Sequence, residues 1–266
     1  MIYWDGNFLC DRGFFINLKR RTDRFESCKK ELEKAKITGV EKFEAVELPK
    51  GPFWDFGCTQ SHINIAKLQI ENNWPYVLYL EDDIVLDVIY NLDIRNSGKQ
   101  IDYSKAVKTL ISDMNEYKPD VLWLGTRLEA PVKSKISNTL VIPGRTLMSH
   151  AYIGSLKYAN FLVENLNYED GKYFSCRYAI DWFITQINEK NCGNIINGAD
   201  FFKGIDNIKN NDLKIMVSVP QFFVQGAGLS DISGNDVDYR KWCWDAYSAY
   251  IRIEELGIIP ALLPEQ

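Results

Sequence analysis

Apolar runs without polar alternation mark strands covered on both faces, and this chain carries several. Phe14–Leu18 is the first, and Thr22 then stands as N-cap of a helix whose apolar face is Phe25, Cys28, Leu32 and Ala35. Phe43–Leu48 alternates as a strand, and Pro49–Pro52 breaks it. A helix opened by Ser61, or by the turn near Gly57, buries Ile63, Ala66, Leu68 and Ile70 and ends at Asn72–Pro75. Next comes Tyr76–Val85, an apolar run interrupted by Glu81, Asp82 and Asp83. Residues 87–100 are polar and turn-rich, a surface excursion.

The second half continues the alternation. Helical spacing runs from Tyr103 to Tyr117 through Ala106, Leu110, Ile111 and Met114, ending before Pro119. Val121–Leu124 is a buried strand closed by Gly125 and Thr126. Thr139–Ile142, Pro143–Gly144 and Thr146–Met148 have the form of a hairpin leading into Ala151–Ser155. Helices are expected over Leu156–Leu166 and Ile180–Lys190, and strands over Ile215–Val219 and Phe222–Val224. Gly226–Asn235 reads as a loop, Val237–Leu256 as a last helix, and the tail from Pro260 as weakly ordered. With no repeat and no linker, residues 1–266 form one α/β domain: a mixed, mostly parallel central sheet flanked by helices.

The acidic triplet is the main chemical signal. Glu81, Asp82 and Asp83 tip a buried strand, where open α/β sheets place their ligand crevices. Adjacent carboxylates repel, and hard oxygen ligands of this kind suit Mg²⁺ or Mn²⁺. In an extended segment Glu81 and Asp83 point one way and Asp82 the other. The plain alternative is an acidic turn facing water.

Composition narrows the classes. The net charge of −5 argues against a nucleic-acid backbone as partner, and Lys19-Arg20-Arg21 is short and local. Six cysteines without a C-x-x-C pair are neither a zinc signature nor a disulfide framework, so reduced thiols are expected. There is no basic, apolar leader at the N-terminus, no apolar run of membrane length and no N-x-S/T acceptor. A soluble, cytoplasmic protein is the expectation. The sequence carries no signal for oligomeric state.

Several segments in order carry a resemblance: Phe15–Arg24, Gly57–His62, Tyr79–Asp83, His150–Tyr152, Ala179–Phe183, Pro220–Gln225 and Ser230–Ile232. Together, over roughly residues 13–233, the chain resembles glycosyltransferase family 25. That family includes the bacterial lipooligosaccharide and the collagen hydroxylysine galactosyltransferases. The resemblance implies a GT-A fold, a UDP-hexose donor (galactose first, glucose next), a divalent metal and inversion at the anomeric carbon. It further implies a D-x-D-like metal motif in which Glu81 replaces the first Asp and Asp83 is the direct ligand of Mn²⁺ or Mg²⁺. Glu81 or Asp82 would instead reach the ribose or a metal-bound water.

Other roles follow residue by residue. Asn17, Leu18, Arg20 and Arg24 match the nucleotide-binding edge; for the arginines the bland reading is a surface charge at a helix start. His62 would hold the donor or the Gly57–Ser61 loop, and His150 is as readily a packing residue. Gln225 is a substitute for a late histidine ligand, with water as the simpler choice. Asp181 matches the family's acidic position and is the candidate base, against an ordinary helix-start carboxylate. Trp182 and Trp123 would stack on an acceptor sugar or fill the core. A nucleotidyltransferase and a non-catalytic nucleotide-sugar-binding module remain as alternatives. The acceptor, a glycan hydroxyl, would meet residues 87–100, 129–137 and 194–211.

Overall fold

A computed structural model of the protein describes residues 1–48, 56–86, 102–130, 134–143, 145–166, 168–169, 172–173, 180, 212–229 and 236–238. The chain opens with a hairpin, β1 (Ile2–Trp4) and β2 (Asn7–Cys10), turning at Asp5-Gly6. Both turn residues have positive φ, 47° and 78°, the conformation that a two-residue Asp-Gly hairpin favours. This hairpin was legible as Asp-Gly between apolar residues, and the sequence reading passed over it.

Next come β3 (Arg12–Asn17), α1 (Thr22–Lys34), β4 (Ile37–Thr38), β5 (Glu41–Glu44), α2 (Phe56–Glu71), β6 (Tyr76–Glu81) and β7 (Ile84–Leu86). Then follow α3 (Tyr103–Tyr117), β8 (Val121–Ala130), β9 (Ser134–Lys135), β10 (Leu140–Ile142), β11 (Arg145–Ser155) and α4 (Leu156–Leu166). The last described elements are β12 (Tyr168–Glu169), β13 (Lys172–Tyr173), β14 (Ile215–Ser218), β15 (Phe223–Gln225), β16 (Ala227–Leu229) and β17 (Asp236–Asp238).

The main sheet has eight strands in the order β5-β3-β6-β11-β8-β14-β10-β9. From the pairings, β10 and β11 run against the other six, so the sheet is mixed with one prevailing direction. Two cores lie on its faces because strand side chains alternate. Val77 and Tyr79 of β6 join Trp123, Tyr152 and the apolar residues of α2 and α4. Leu78 and Leu80 join Leu122, Ala151 and residues of α1, α3 and the N-terminal hairpin on the other face. Helices therefore flank the sheet on both sides, as expected. Among the described residues no helix is long and apolar enough to cross a membrane.

Tertiary contacts overrode several local readings. Thr22 is the first helical residue; Arg21 occupies the N-cap position, with no side-chain cap bond. The α2 start lies at Phe56, next to the Gly57 turn, and Ser61 is inside the helix; Ile63 and Ala66 are buried as expected, Leu68 and Ile70 are half-buried, and Ile65 and Gln69 are buried in addition. The strand expected over Phe43–Leu48 is Glu41–Glu44, with one further bond from Ala45 N–H to the Asn17 carbonyl at 3.0 Å.

The hairpin expected from Thr139 to Met148 does not form. β10 pairs with β14 and β9, whereas β11 pairs with β8 and β6. Both sheet faces are covered by helices here, so burial selects distant partners over a local turn. The loop expected at Gly226–Asn235 contains β16, which pairs with β17. A helix therefore does not start at Val237, and the rest of that expected helix lies outside the described residues.

Gly125 does not close β8, which runs through it to Ala130. β15 crosses at this point, with Phe222 N–H donating to the Leu124 carbonyl at 2.7 Å. A Cβ on Gly125 would lie 2.3 Å from the Phe223 carbonyl oxygen and 2.5 Å from His150 Nε2. The glycine is there for close approach of a second backbone.

Candidate functional site

In the main sheet the chain leaves β3 toward β5 on one side and leaves its neighbour β6 toward β8 on the other. That divergence is a topological switch point, and ligands of open α/β sheets bind outside the carboxyl ends of the strands there. Asn17 ends β3 and Glu81 ends β6. Asp82 and Asp83 form the turn to β7, which pairs with β15.

The turn breaks the alternation expected for an extended triplet. Asp82 and Asp83 are drawn together by one guanidinium: Arg24 Nη1 donates to Asp82 Oδ1 at 3.0 Å and to Asp83 Oδ2 at 3.2 Å. Glu81 instead accepts from Ser149 Oγ at 2.8 Å and lies 3.8 Å from His62 Nε2. Asn17 Nδ2 donates to Asp82 Oδ2 at 2.6 Å and to the Arg21 carbonyl at 3.0 Å. Gln225 Nε2 donates to Asp83 Oδ2 at 3.0 Å, and Gly226 N–H donates to the Asp83 carbonyl at 2.7 Å.

The electrostatics are unbalanced toward negative charge. Burial pushes the Asp83 carboxyl up to about 7, and the neighbouring Glu81 charge adds to this against the pull of Arg24. Burial also raises Asp82, although Arg24 and Asn17 oppose it. Burial acts upward on Glu81 as well, but the adjacent His62 and the Ser149 hydrogen bond hold it below the usual carboxylate range. Two oxygens in this cluster, Asp83 Oδ1 and Asn17 Oδ1, are buried without a hydrogen-bond partner. A small hard cation would satisfy the Asp83 oxygen and offset the excess negative charge.

A stability prediction follows with a definite sign. The raised Asp83 group binds its proton more tightly in the folded chain than at the unfolded value of about 3.9. Its contribution is complete below that value and is lost as pH rises through about 7. Metal-free wild type should therefore lose urea resistance relative to Asp83→Asn between about pH 4 and pH 7. Parallel pH dependences for the two proteins would contradict the buried, charge-crowded Asp83.

Of the remaining expected site residues, His62 stands beside Glu81. Leu18 follows the end of β3 and its carbonyl accepts Arg21 N–H at 2.9 Å. Arg20 is exposed and pairs with Glu47 at 2.6 Å. His62 is fully buried on α2, with Nδ1 2.8 Å from the Tyr152 hydroxyl. His150 is buried 3.4 Å from the Phe223 carbonyl, and burial lowers its pKa. Trp123 is 1% exposed and belongs to the core, so it presents no stacking face. Asp181 and Trp182 lie outside the described residues; Ile180 is buried, its N–H donating to Thr59 Oγ1 of α2 at 3.1 Å.

Sequence reasoning missed Cys58, Ser149 and Tyr152. Cys58 had a readable signal, four residues before His62 on one helix. Ser149 had none and Tyr152 only its place in the His150–Tyr152 segment, because β11 reaches Glu81 and His62 only through sheet pairing.

No protein-family model matches the chain, and no curated protein matches it. Among solved structures, it is similar to a glycosyltransferase involved in the glycosylation of the major capsid of PBCV-1. That likeness has 11% identity and a TM-score of 0.40, over 94% of this chain and 99% of the other. It is also similar to A197 from STIV, at 9% identity and a TM-score of 0.35, over 78% of this chain and 81% of the other.

Proposed function

We propose that the protein is a metal-dependent, inverting glycosyltransferase that moves a hexose from a UDP-sugar to a hydroxyl of a glycan acceptor, galactose being the first candidate. The observation that carries this reading is the carboxylate cluster at the β3–β6 switch point, with Asp83 Oδ1 buried and unpartnered. The resemblance of the ordered motifs to glycosyltransferase family 25 supports the reaction class and a GT-A frame.

In this reading Asp83 is the protein ligand of Mn²⁺ or Mg²⁺, held in place by Gln225 and Arg24. The bound ion would neutralise charge on the departing pyrophosphate. Arg24 acts on the carboxylates it spans, so its part is to position Asp82 and Asp83. Asn17 orients Asp82, leaving its own Oδ1 for a donor hydroxyl. Arg20, exposed at the rim, is the guanidinium assigned to the nucleotide, exchanging Glu47 for it. Asp181 is assigned as the base that takes the acceptor hydroxyl proton.

Calorimetric titration with UDP, UDP-galactose, UDP-glucose and GDP-mannose, each with and without Mn²⁺, tests the reading. Uridine ligands are expected to bind only with the ion, and UDP-galactose more tightly than GDP-mannose. A folded protein that binds none of them would remove sugar transfer as its function.

A further inference from the structure

We propose that Cys58, His62 and Glu81 form a second metal site, for a borderline-soft divalent ion of the Zn²⁺ type, separate from the hard-ion position at Asp83. Their ligand atoms, a sulfur, an imidazole nitrogen and a carboxylate oxygen, all lie within 4.8 Å of one another. Cys58 and His62 are one turn apart on α2, and Glu81 ends β6, so an ion here would tie the helix to the strand.

His62 is set up as a ligand. Its ring is 0% exposed and stacked near-parallel with Tyr79 and Tyr152, at 6.0 and 5.6 Å between centroids. When Nδ1 carries the proton and donates to the Tyr152 hydroxyl, Nε2 presents its lone pair toward Glu81. Despite full burial, Nε2 has no hydrogen-bond partner. Its 3.8 Å separation from Glu81 Oε1 is too long for a hydrogen bond. Two ligands on one tetrahedral zinc lie roughly 3.3–3.6 Å apart. The observed 3.8 Å, and 4.0 Å from Cys58 Sγ to the same oxygen, need only a few tenths of an ångström of closure.

The chemistry of the set selects the ion. Thiolate and imidazole favour zinc over Mg²⁺ or Ca²⁺. The supporting contacts match those of metal ligands: Tyr152 holds the second nitrogen of His62, and Ser149 Oγ holds the Glu81 carboxylate at 2.8 Å. Three protein ligands leave a fourth position for water or substrate. None of this depends on the sugar-transfer reading, since neither the ligands nor the readout involve a nucleotide.

The test is titration of the chelator-treated full chain with Co²⁺, followed by displacement with Zn²⁺. Wild type and Asp83→Asn should both develop a thiolate-to-cobalt charge-transfer band that saturates near one equivalent and disappears on adding Zn²⁺. Cys58→Ser, with an unchanged far-ultraviolet circular dichroism spectrum, should lose the band and bind Zn²⁺ more than about 10-fold more weakly. His62→Gln should weaken binding comparably. A folded wild type without the band at saturating Co²⁺, or a band retained in Cys58→Ser, would overturn the site. If Cys58→Ser does not fold, zinc-edge X-ray absorption on wild type decides. One sulfur with nitrogen and oxygen neighbours supports the site; no sulfur, or several, overturns it.

Discussion

Asp83→Asn is expected to lower sugar transfer by about 10²–10³-fold and to abolish Mn²⁺-dependent binding of UDP, with the fold intact. The wild-type carboxylate offers an unpartnered, buried Oδ1 beside Asp82 and Glu81. Asparagine keeps the shape and an oxygen, but it removes the charge that a cation needs. Folding should gain, because two buried carboxylates share one guanidinium and the Glu81 charge adds to the crowding at Asp83 in the metal-free chain. Arg24 still has Asp82 at 3.0 Å after the change. Unfolding by urea at about pH 8 should therefore show the variant as stable as wild type or more so, a combination typical of a residue kept for function.

Asp181→Asn provides the contrast. A lost base should reduce transfer by about 10²–10⁴-fold while leaving Mn²⁺-dependent UDP binding unchanged. Calorimetry and a transfer assay on both variants separate the roles. Full activity in Asp83→Asn would remove the ion from the mechanism, and weakened UDP binding in Asp181→Asn would move that residue to the donor site.

Gly125→Ala is expected to cost about 3 kcal/mol of stability, at the upper end of the overpacking range. The added methyl would meet the backbone oxygen of Phe223 at 2.3 Å and a buried imidazole at 2.5 Å, and neither is the free end of a flexible chain. Relief requires β15 to move off β8. Gln225 lies two residues beyond Phe223 on β15, so its 3.0 Å bond to Asp83 moves with it. A melting temperature lower by roughly 6–12 °C and weaker UDP binding are expected together. A melting temperature within about 2 °C of wild type would show that the two strands are not so closely apposed.

Periodicity and composition were enough for much of this fold. The helices at Tyr103–Tyr117 and Leu156–Leu166 match their sequence limits, because each pairs an apolar stripe with a clear stop or start. The strand leading to Glu81 was readable for a similar reason: an unbroken apolar run is stable only when covered on both faces. Carboxylates at the end of such a strand already indicated a ligand crevice. Local pattern records burial and element type, and these properties depend on a few neighbouring residues.

Partnership is a different kind of information. Thr139–Met148 had the local signs of a hairpin, yet β11 pairs with β6 and β8, where its apolar faces meet two cores. Spacing placed Glu81 with Asp83, yet the turn placed Asp82 with Asp83 on Arg24, 58 and 59 residues away along the chain. Gly125 had the local form of a stop and serves as a crossing point. The sequence by itself determined an α/β chain with an acidic strand end. Which carboxylate faces which partner was decided by tertiary structure alone, because side-chain convergence depends on strands and helices far apart in sequence being packed at fixed register.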